Sequence, residues 1–198
     1  MEVIDASLLL LLFRPDTPVP VQAGGVPLPH VKERVEFLIA TLDKSKTKLI
    51  VPTPALSEVL VRAGATASVQ IVEHLKKFAV FRIEPFDERA AIEVAAMTRQ
   101  ALSKGSKRGK SDATWAKIKF DRQIVAITRV CGAKTIYSDD GDIRKLAKQY
   151  GINVIKVADL PLPPQAAQYS MELSGAAEES TRTSAEIIAE GQAPAGAT

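Results

Sequence analysis

The chain has 198 residues, among them a single cysteine, two histidines and few aromatic side chains, which make up 5% of the whole. The lone Cys131 excludes an intramolecular disulfide and fits a reducing compartment, so a cytoplasmic location is the expectation. It closes an apolar helical pattern, which makes it a buried structural thiol rather than a nucleophile. His and Cys are too scarce to cluster, which disfavours a zinc centre. Long hydrophobic runs are missing as well. The apolar start from Val3 to Phe13 is too short to span a bilayer and carries Asp5 inside it. Glu2 stands where a signal peptide would be basic, so neither a leader nor a membrane segment is expected. Charge of one sign is in only mild excess, with a formal net of +3 and a pI near 9.0. Such a bias matters only where it is concentrated.

What remains is ample material for one core. Hydrophobic residues make up 46% of the chain and charged ones 25%, the balance of a globular domain. Val3-Ile4 reads as a short buried strand ending at Asp5. Arg14 to Pro29 is rich in Pro and Gly and reads as a long loop. Val31, Val35, Leu38 and Leu42 recur at helical spacing, predicting a helix over 31–43. Leu49-Ile50-Val51 is a second strand, followed by Thr53-Pro54 as N-cap and first helical residue of a helix that stops near Gly64. Val69, Ile71, Val72, Leu75 and Phe78 predict another helix, and Val80 to Ile83 a third strand. Asp87 caps a helix to about Ser103, Lys104 to Lys110 form a basic loop, and a long helix covers 112–131 up to Gly132. Thr135 to Tyr137 is a fourth strand. The acidic turn Ser138 to Asp142, a short helix to Tyr150 and a strand from Asn153 to Val157 complete the pattern.

Strands separated by helices imply an α/β fold with a mostly parallel sheet covered on both faces. After Pro161-Leu162-Pro163-Pro164 the composition shifts to Ala, Ser, Thr, Glu and Gly. The domain is therefore expected over 1–160, with 161–198 a low-complexity, flexible tail.

In such sheets ligands bind beyond the carboxyl ends of the strands. Asp5 directly follows the first strand, and Asp139, Asp140 and Asp142 follow the fourth. Glu58 lies in the first turns of the helix after the second strand. Asp121 sits among Ile118, Ile124, Val125, Ile127 and Val130, on or beside the buried side of its helix. A carboxylate there wants a cation or a hydrogen-bond partner. Carboxylates drawn together repel one another, and a hard divalent cation turns that repulsion into binding; oxygen ligands favour Mg²⁺ or Mn²⁺. Such a site activates water for in-line attack on a phosphodiester. Taken singly, each acid also has a plainer role. Asp5 can cap a helix, Glu58 can be a solvated helix residue, and Asp139, Asp140 and Asp142 can form an ordinary turn.

The segments Val3-Ile4-Asp5-Ala6-Ser7, Val51 to Glu58, Lys119 to Ala126 and Ile136 to Ile143, in that order and spacing, resemble the PIN-domain nucleases, particularly the VapC-like toxins of toxin–antitoxin pairs. The resemblance covers about residues 1–158. It implies a three-layer α/β/α fold with a mostly parallel central sheet and a metal-dependent endoribonuclease that leaves 5′-phosphate and 3′-hydroxyl ends. It maps Asp5, Glu58, Asp121 and Asp140 onto the family's acidic quartet and Asp142 onto an additional acid. Asp139 falls where the family often has Asn, and Ser7 and Ser138 fall at small hydroxyl positions that would orient a carboxylate or a metal-bound water. Asp5, Asp121 and Asp140 would hold Mg²⁺ or Mn²⁺ directly, with Glu58 and Asp142 directly or through water. A cognate antitoxin and a homodimer are implied partners.

Lys104, Lys107, Arg108, Lys110, Lys117 and Lys119 stand against Asp112 alone, a local excess suited to the phosphates of RNA. Trp115 within the same stretch either stacks on a base or packs against the core. Rival readings are a structure-specific or DNA-directed nuclease on the same scaffold and a non-catalytic PIN-like interaction module. A haloacid-dehalogenase-like phosphatase would need a second acid at Ser7. A receiver domain would need a Lys after the last strand and no acidic turn after the fourth.

Overall fold

The computed structural model of the chain describes residues 1–14, 16–22, 24–108 and 113–164. The chain divides into Met1–Pro161 and Leu162–Thr198. The tail expected over 165–198 and Lys110 of the basic loop lie outside the described residues.

The first unit is a five-stranded sheet threaded by helices. In chain order these are β1 (Glu2–Ile4), α1 (Ala6–Phe13), α2 (Val31–Lys44), β2 (Leu49–Pro52), α3 (Thr53–Ala63), α4 (Ala65–Lys77), β3 (Phe81–Glu84), α5 (Glu88–Ser103), α6 (Trp115–Val130), β4 (Thr135–Tyr137), α7 (Gly141–Lys148) and β5 (Asn153–Ile155). All four pairings are parallel, in the order β3-β2-β1-β4-β5. Val3, Ile4, Leu49, Ile50, Val51 and Ile136 have no exposed surface. Their unbroken apolar runs, with no polar alternate residue, are what a strand needs when helices cover both faces. Among the described residues no helix is long and apolar enough to cross a membrane.

The strand order decides where a ligand can go. From β1 the chain moves outward through β2 to β3, then returns across the sheet to place β4 on the other side of β1. Connections therefore leave β1 and β4 toward opposite edges, and a crevice opens between the carboxyl ends of those two strands. Asp5 and the turn from Ser138 to Asp142 stand at that crevice. The stop signals are glycines at φ near +70°, Gly132 after α6 and Gly151 after α7. That backbone region is strained for residues with a Cβ.

Several local details differ from the sequence reading. The apolar stretch after Asp5 is helical, and its leucines fill the core: Leu8 and Leu9 are fully buried. The hydroxyl of Thr53 does not cap α3; it accepts a hydrogen bond from the Phe86 amide at 3.0 Å, tying the end of β2 to the end of β3. Asp87 does cap α5, accepting from the Ala90 amide at 2.9 Å. The fifth strand ends at Ile155, and Val157–Asp159 turn as a short 3-10 segment. Cys131 is only partly buried, with its thiol pKa pushed up by desolvation.

Removing the Leu9 side chain with Leu9→Ala leaves a void under the sheet and should cost about 2–5 kcal/mol. Val61→Ala, at a position 83% exposed, should change stability by no more than about 0.5 kcal/mol. Urea unfolding of both variants checks the core assignment; equal midpoints would contradict it.

Candidate active site

Asp5 lies at the bottom of the crevice, 5% exposed. Its Oδ2 accepts hydrogen bonds from the hydroxyl of Ser138 at 2.8 Å and that of Ser7 at 3.2 Å. Each serine is itself fixed from behind. The Ser138 oxygen accepts from the Asp140 amide at 3.0 Å, and the Ser7 oxygen accepts from the Asp139 amide at 3.2 Å. Two short side chains thus lock the end of β1 to the turn after β4. Desolvation raises the Asp5 pKa; the Ser138 hydrogen bond opposes this, while the charges of Asp140 and Glu58 add to it.

The acidic turn divides its labour. Asp140 uses Oδ1 to cap α7, accepting from the amides of Asp142 at 2.7 Å and Ile143 at 3.3 Å, which leaves Oδ2 for another partner. Asp139 turns the other way, and its Oδ1 accepts from the Val157 amide at 3.1 Å, holding the segment after β5.

The second partner of Asp140 is Lys117. From the first turn of α6, its ammonium lies 2.8 Å from Asp140 Oδ2, 3.1 Å from Asp121 Oδ2 and 3.2 Å from Asp142 Oδ2. Three carboxylates from α6 and the start of α7 converge on this ammonium, and Asp142 Oδ1 also faces Lys145 at 3.7 Å. The consequences differ by depth. Asp121, 7% exposed, has a pKa raised to about 6 by desolvation, against the pull of Lys117 and with the push of Asp140 and Asp5. At Asp140 desolvation also works upward, but Lys117 and the α7 amides outweigh it and the pKa is lowered. Lys117 loses by desolvation and gains more from Asp140 and Asp121, so its ammonium is held charged.

Glu58 stands apart from this triple contact. It lines a cleft of about 480 Å³ together with Asp5, Asp140, Arg62 and Pro18-Val19-Pro20 of the long loop. Its carboxylate accepts from Arg62 one helical turn on, at 2.9 Å. The Arg62 carbonyl in turn accepts from Arg14, so the loop after α1 is fastened to the end of α3.

The basic residues separate on folding. Lys104 and Arg108 line a second cleft that also contains Asp121 and Asp142. Lys107 lies over the Trp115 ring at 5.0 Å, and Lys119 is exposed on α6. Lys117, grouped by sequence with the phosphate-binding run, points instead into the acid cluster. That role had a legible signal, since Lys117 and Asp121 are four residues apart on one helix. Arg62 and Arg122 were not among the expected site residues; Arg62 had the same i,i+4 signal through Glu58, whereas Arg122 is brought to the site only by tertiary packing.

Among the described residues, no three acidic, His or Cys side chains are already drawn up as a ready-made metal cage. The donor set nevertheless suits a hard divalent ion: it is all oxygen, and its focus already attracts a cation in the form of Lys117.

No family model matches the chain, and no curated protein does. Among solved structures it is similar to VapBC2 from Rickettsia felis bound to a DNA fragment from its promoter, at 12% identity, with 78% of this chain and 97% of that chain covered and a TM-score of 0.51. Two others give lower scores and support nothing further. They are VapC20 from Mycobacterium tuberculosis, a Sarcin-Ricin loop cleaving toxin (19% identity, 73% and 94% covered, TM-score 0.44), and DNA-bound VapBC from Salmonella typhimurium (12%, 79% and 99%, 0.49). At such identities the shared property is the fold, and the chain has the α/β architecture of VapC-like PIN domains.

In chelated protein the Asp121 carboxyl should titrate near 6, against 3.8 for a free aspartate. The folded state then holds a proton that the unfolded chain releases, so Asp121's contribution to stability is fully present below 3.8 and is lost as pH rises through 6. Lys117→Met should move the midpoint further up, because the ammonium favours the carboxylate. Carboxyl-detected NMR in EDTA checks both; a wild-type midpoint below 4.5 would contradict the burial argument.

Proposed function

We propose that the chain is a metal-dependent endoribonuclease, the toxin member of a toxin–antitoxin pair. The reading is carried by one observation: carboxylates from β1, α6 and the turn after β4 gather at the crevice of a parallel sheet, and three of them close on a single cation. Structural acids would be dispersed to lower their mutual repulsion.

Asp5, Asp121 and Asp140 are the residues to hold Mg²⁺ or Mn²⁺, with Glu58 and Asp142 contributing directly or through water. Bound there, the ion supplies Lewis-acid polarisation of a phosphodiester and lowers the pKa of a water molecule. The chain's own residues prepare the place. Ser7 and Ser138 fix Asp5 Oδ2, and the α7 amides fix Asp140 Oδ1 so that Oδ2 faces inward. Lys117 keeps the acids together until it is displaced; its four-carbon stem then lets it turn to a substrate phosphate. Lys104, Lys107, Arg108, Lys110 and Lys119 supply positive charge for the rest of the RNA backbone. Asp139, bonded to Val157, acts by holding the fold of the turn.

The fold neighbour from Rickettsia felis is a VapBC assembly on promoter DNA. By analogy the partner here is a small antitoxin that covers the acidic crevice. A homodimer and a cytoplasmic location belong to the same reading.

Single-stranded RNA should be cut in Mg²⁺ or Mn²⁺ and left intact in EDTA. Asp5→Ala and Asp121→Asn should each lower the rate by about 100-fold or more. Cleavage that survives both chelation and these substitutions would refute the reading, and preference for DNA would redirect it. RNA binding should weaken with salt, and Lys107→Ala should reduce the log–log slope by about 0.7, the value for one phosphate contact on a single strand. An unchanged slope would remove Lys107 from the interface.

A further inference from the structure

The second cleft, about 490 Å³, opens between α5, α6 and α7, within the size range of small-ligand sites. Its chemistry is unlike that of the first. Met97 and Ile118 are buried apolar walls, and Leu146 packs beside them. Gln100 and Gln149 bring side-chain amides, and Tyr150 donates to the Gln100 carbonyl oxygen at 3.0 Å. Lys104, Arg108, Arg122 and Lys145 bring positive charge.

Arg122 is the unusual member. It is 3% exposed, with its guanidinium held by the Thr98 hydroxyl at 3.1 Å and the Lys107 carbonyl at 2.6 Å. It lies 5.4 Å from the centre of the Trp115 ring. Among the described residues it makes no ion pair, although a buried cation without an anion is costly to keep. Both of these acceptors are neutral, so the cleft is short of negative charge at its basic end. An anion supplied from outside would complete it. At the other end Asp121 and Asp142 belong both to this cleft and to the acid cluster, so whatever lies in the cleft touches the reacting site.

We propose that this cleft is a mononucleotide subsite, which takes one nucleotide of the RNA strand beside the bond that is cut. Its phosphate lies on Arg122, Arg108 and Lys104. Its base lies against Met97, Ile118 and Leu146, where the amides of Gln100 and Gln149 read the base edge. Lys145 already faces Asp142 at 3.7 Å; a bare phosphate site would not need the apolar wall, and a purely hydrophobic ligand would leave Arg122, Arg108 and Lys104 without an anion. The proposal rests on the nuclease reading for its place beside the cut, but the binding it describes needs no metal.

Trp115 is the single tryptophan of the chain, and its contact with Arg122 makes its fluorescence a reporter. The full chain in EDTA at low salt is titrated with 5′-AMP, 5′-UMP, adenosine and inorganic phosphate. The mononucleotides should shift Trp115 emission, with adenosine and phosphate each binding at least about tenfold more weakly, the scale of one charge-assisted hydrogen bond. Arg108→Ala should weaken 5′-AMP by about tenfold for the same reason. Ala101→Phe, which fills the cleft from α5, should abolish binding. Arg122 is left untouched because its loss endangers the fold. No mononucleotide binding, phosphate binding as tightly as 5′-AMP, or Ala101→Phe binding as the parent does would each overturn the subsite. RNA cleavage in Mg²⁺ separates the two readings. A parent that cuts, with Ala101→Phe giving the same products at the same KM, sinks the subsite alone. A parent that binds 5′-AMP in EDTA yet never cuts sinks the nuclease alone.

Discussion

Bringing Asp121, Asp140 and Asp142 within reach of one another would be unfavourable without a positive charge between them, and Lys117 supplies it. The contact joins α6 to the start of α7, because the carboxylates come from both sides of that junction. A cation is therefore part of the fold at this point, not an addition to it. The ammonium meets the electrostatic need with a single charge on a flexible stem, which a compact divalent ion can replace with twice the charge.

The remaining polar contacts serve the same end. Ser7 and Ser138 orient Asp5 and couple it to the backbone of the turn after β4. Asp140 works twice, as the cap of α7 and as the strongest contact of Lys117, so the start of that helix and the acid cluster form one unit. Asp139 shows how little chemistry follows from sequence adjacency. One residue away from Asp140, it faces the opposite direction and stabilises the chain after β5.

Around the cluster lie two clefts with contrasting walls. One is bordered by Glu58, Arg62 and the Pro18-Val19-Pro20 loop, the other by Arg122 and the apolar wall of α5 and α6. The acids are shared between them: Asp5 and Asp140 in the first, Asp121 and Asp142 in the second.

The sequence by itself determined the strands, their parallel arrangement and the meeting of the acids at one rim. A short run such as Leu49-Ile50-Val51, bounded by turn signals, fits a strand buried on both faces, and an acid after such a strand stands near the sheet's carboxyl edge. It also indicated that Asp121 must find a partner, since a carboxylate on the apolar side of a helix cannot remain alone. It did not reveal the direction of each long side chain. Lys117 reads as one member of a basic run; its spacing to Asp121 hints at one partner, but Asp140 and Asp142 reach it only when α7 packs against α6. Arg122 reads as an ordinary helix cation until α5 and the residues before α6 enclose it. The hydroxyl of Thr53 reads as a helix cap until β3 brings the Phe86 amide nearer. Periodicity and strand-end position are local properties that a linear pattern records. The partner of a flexible charged or hydroxyl side chain is chosen among groups far away in the chain, and tertiary packing alone decides which of them arrives.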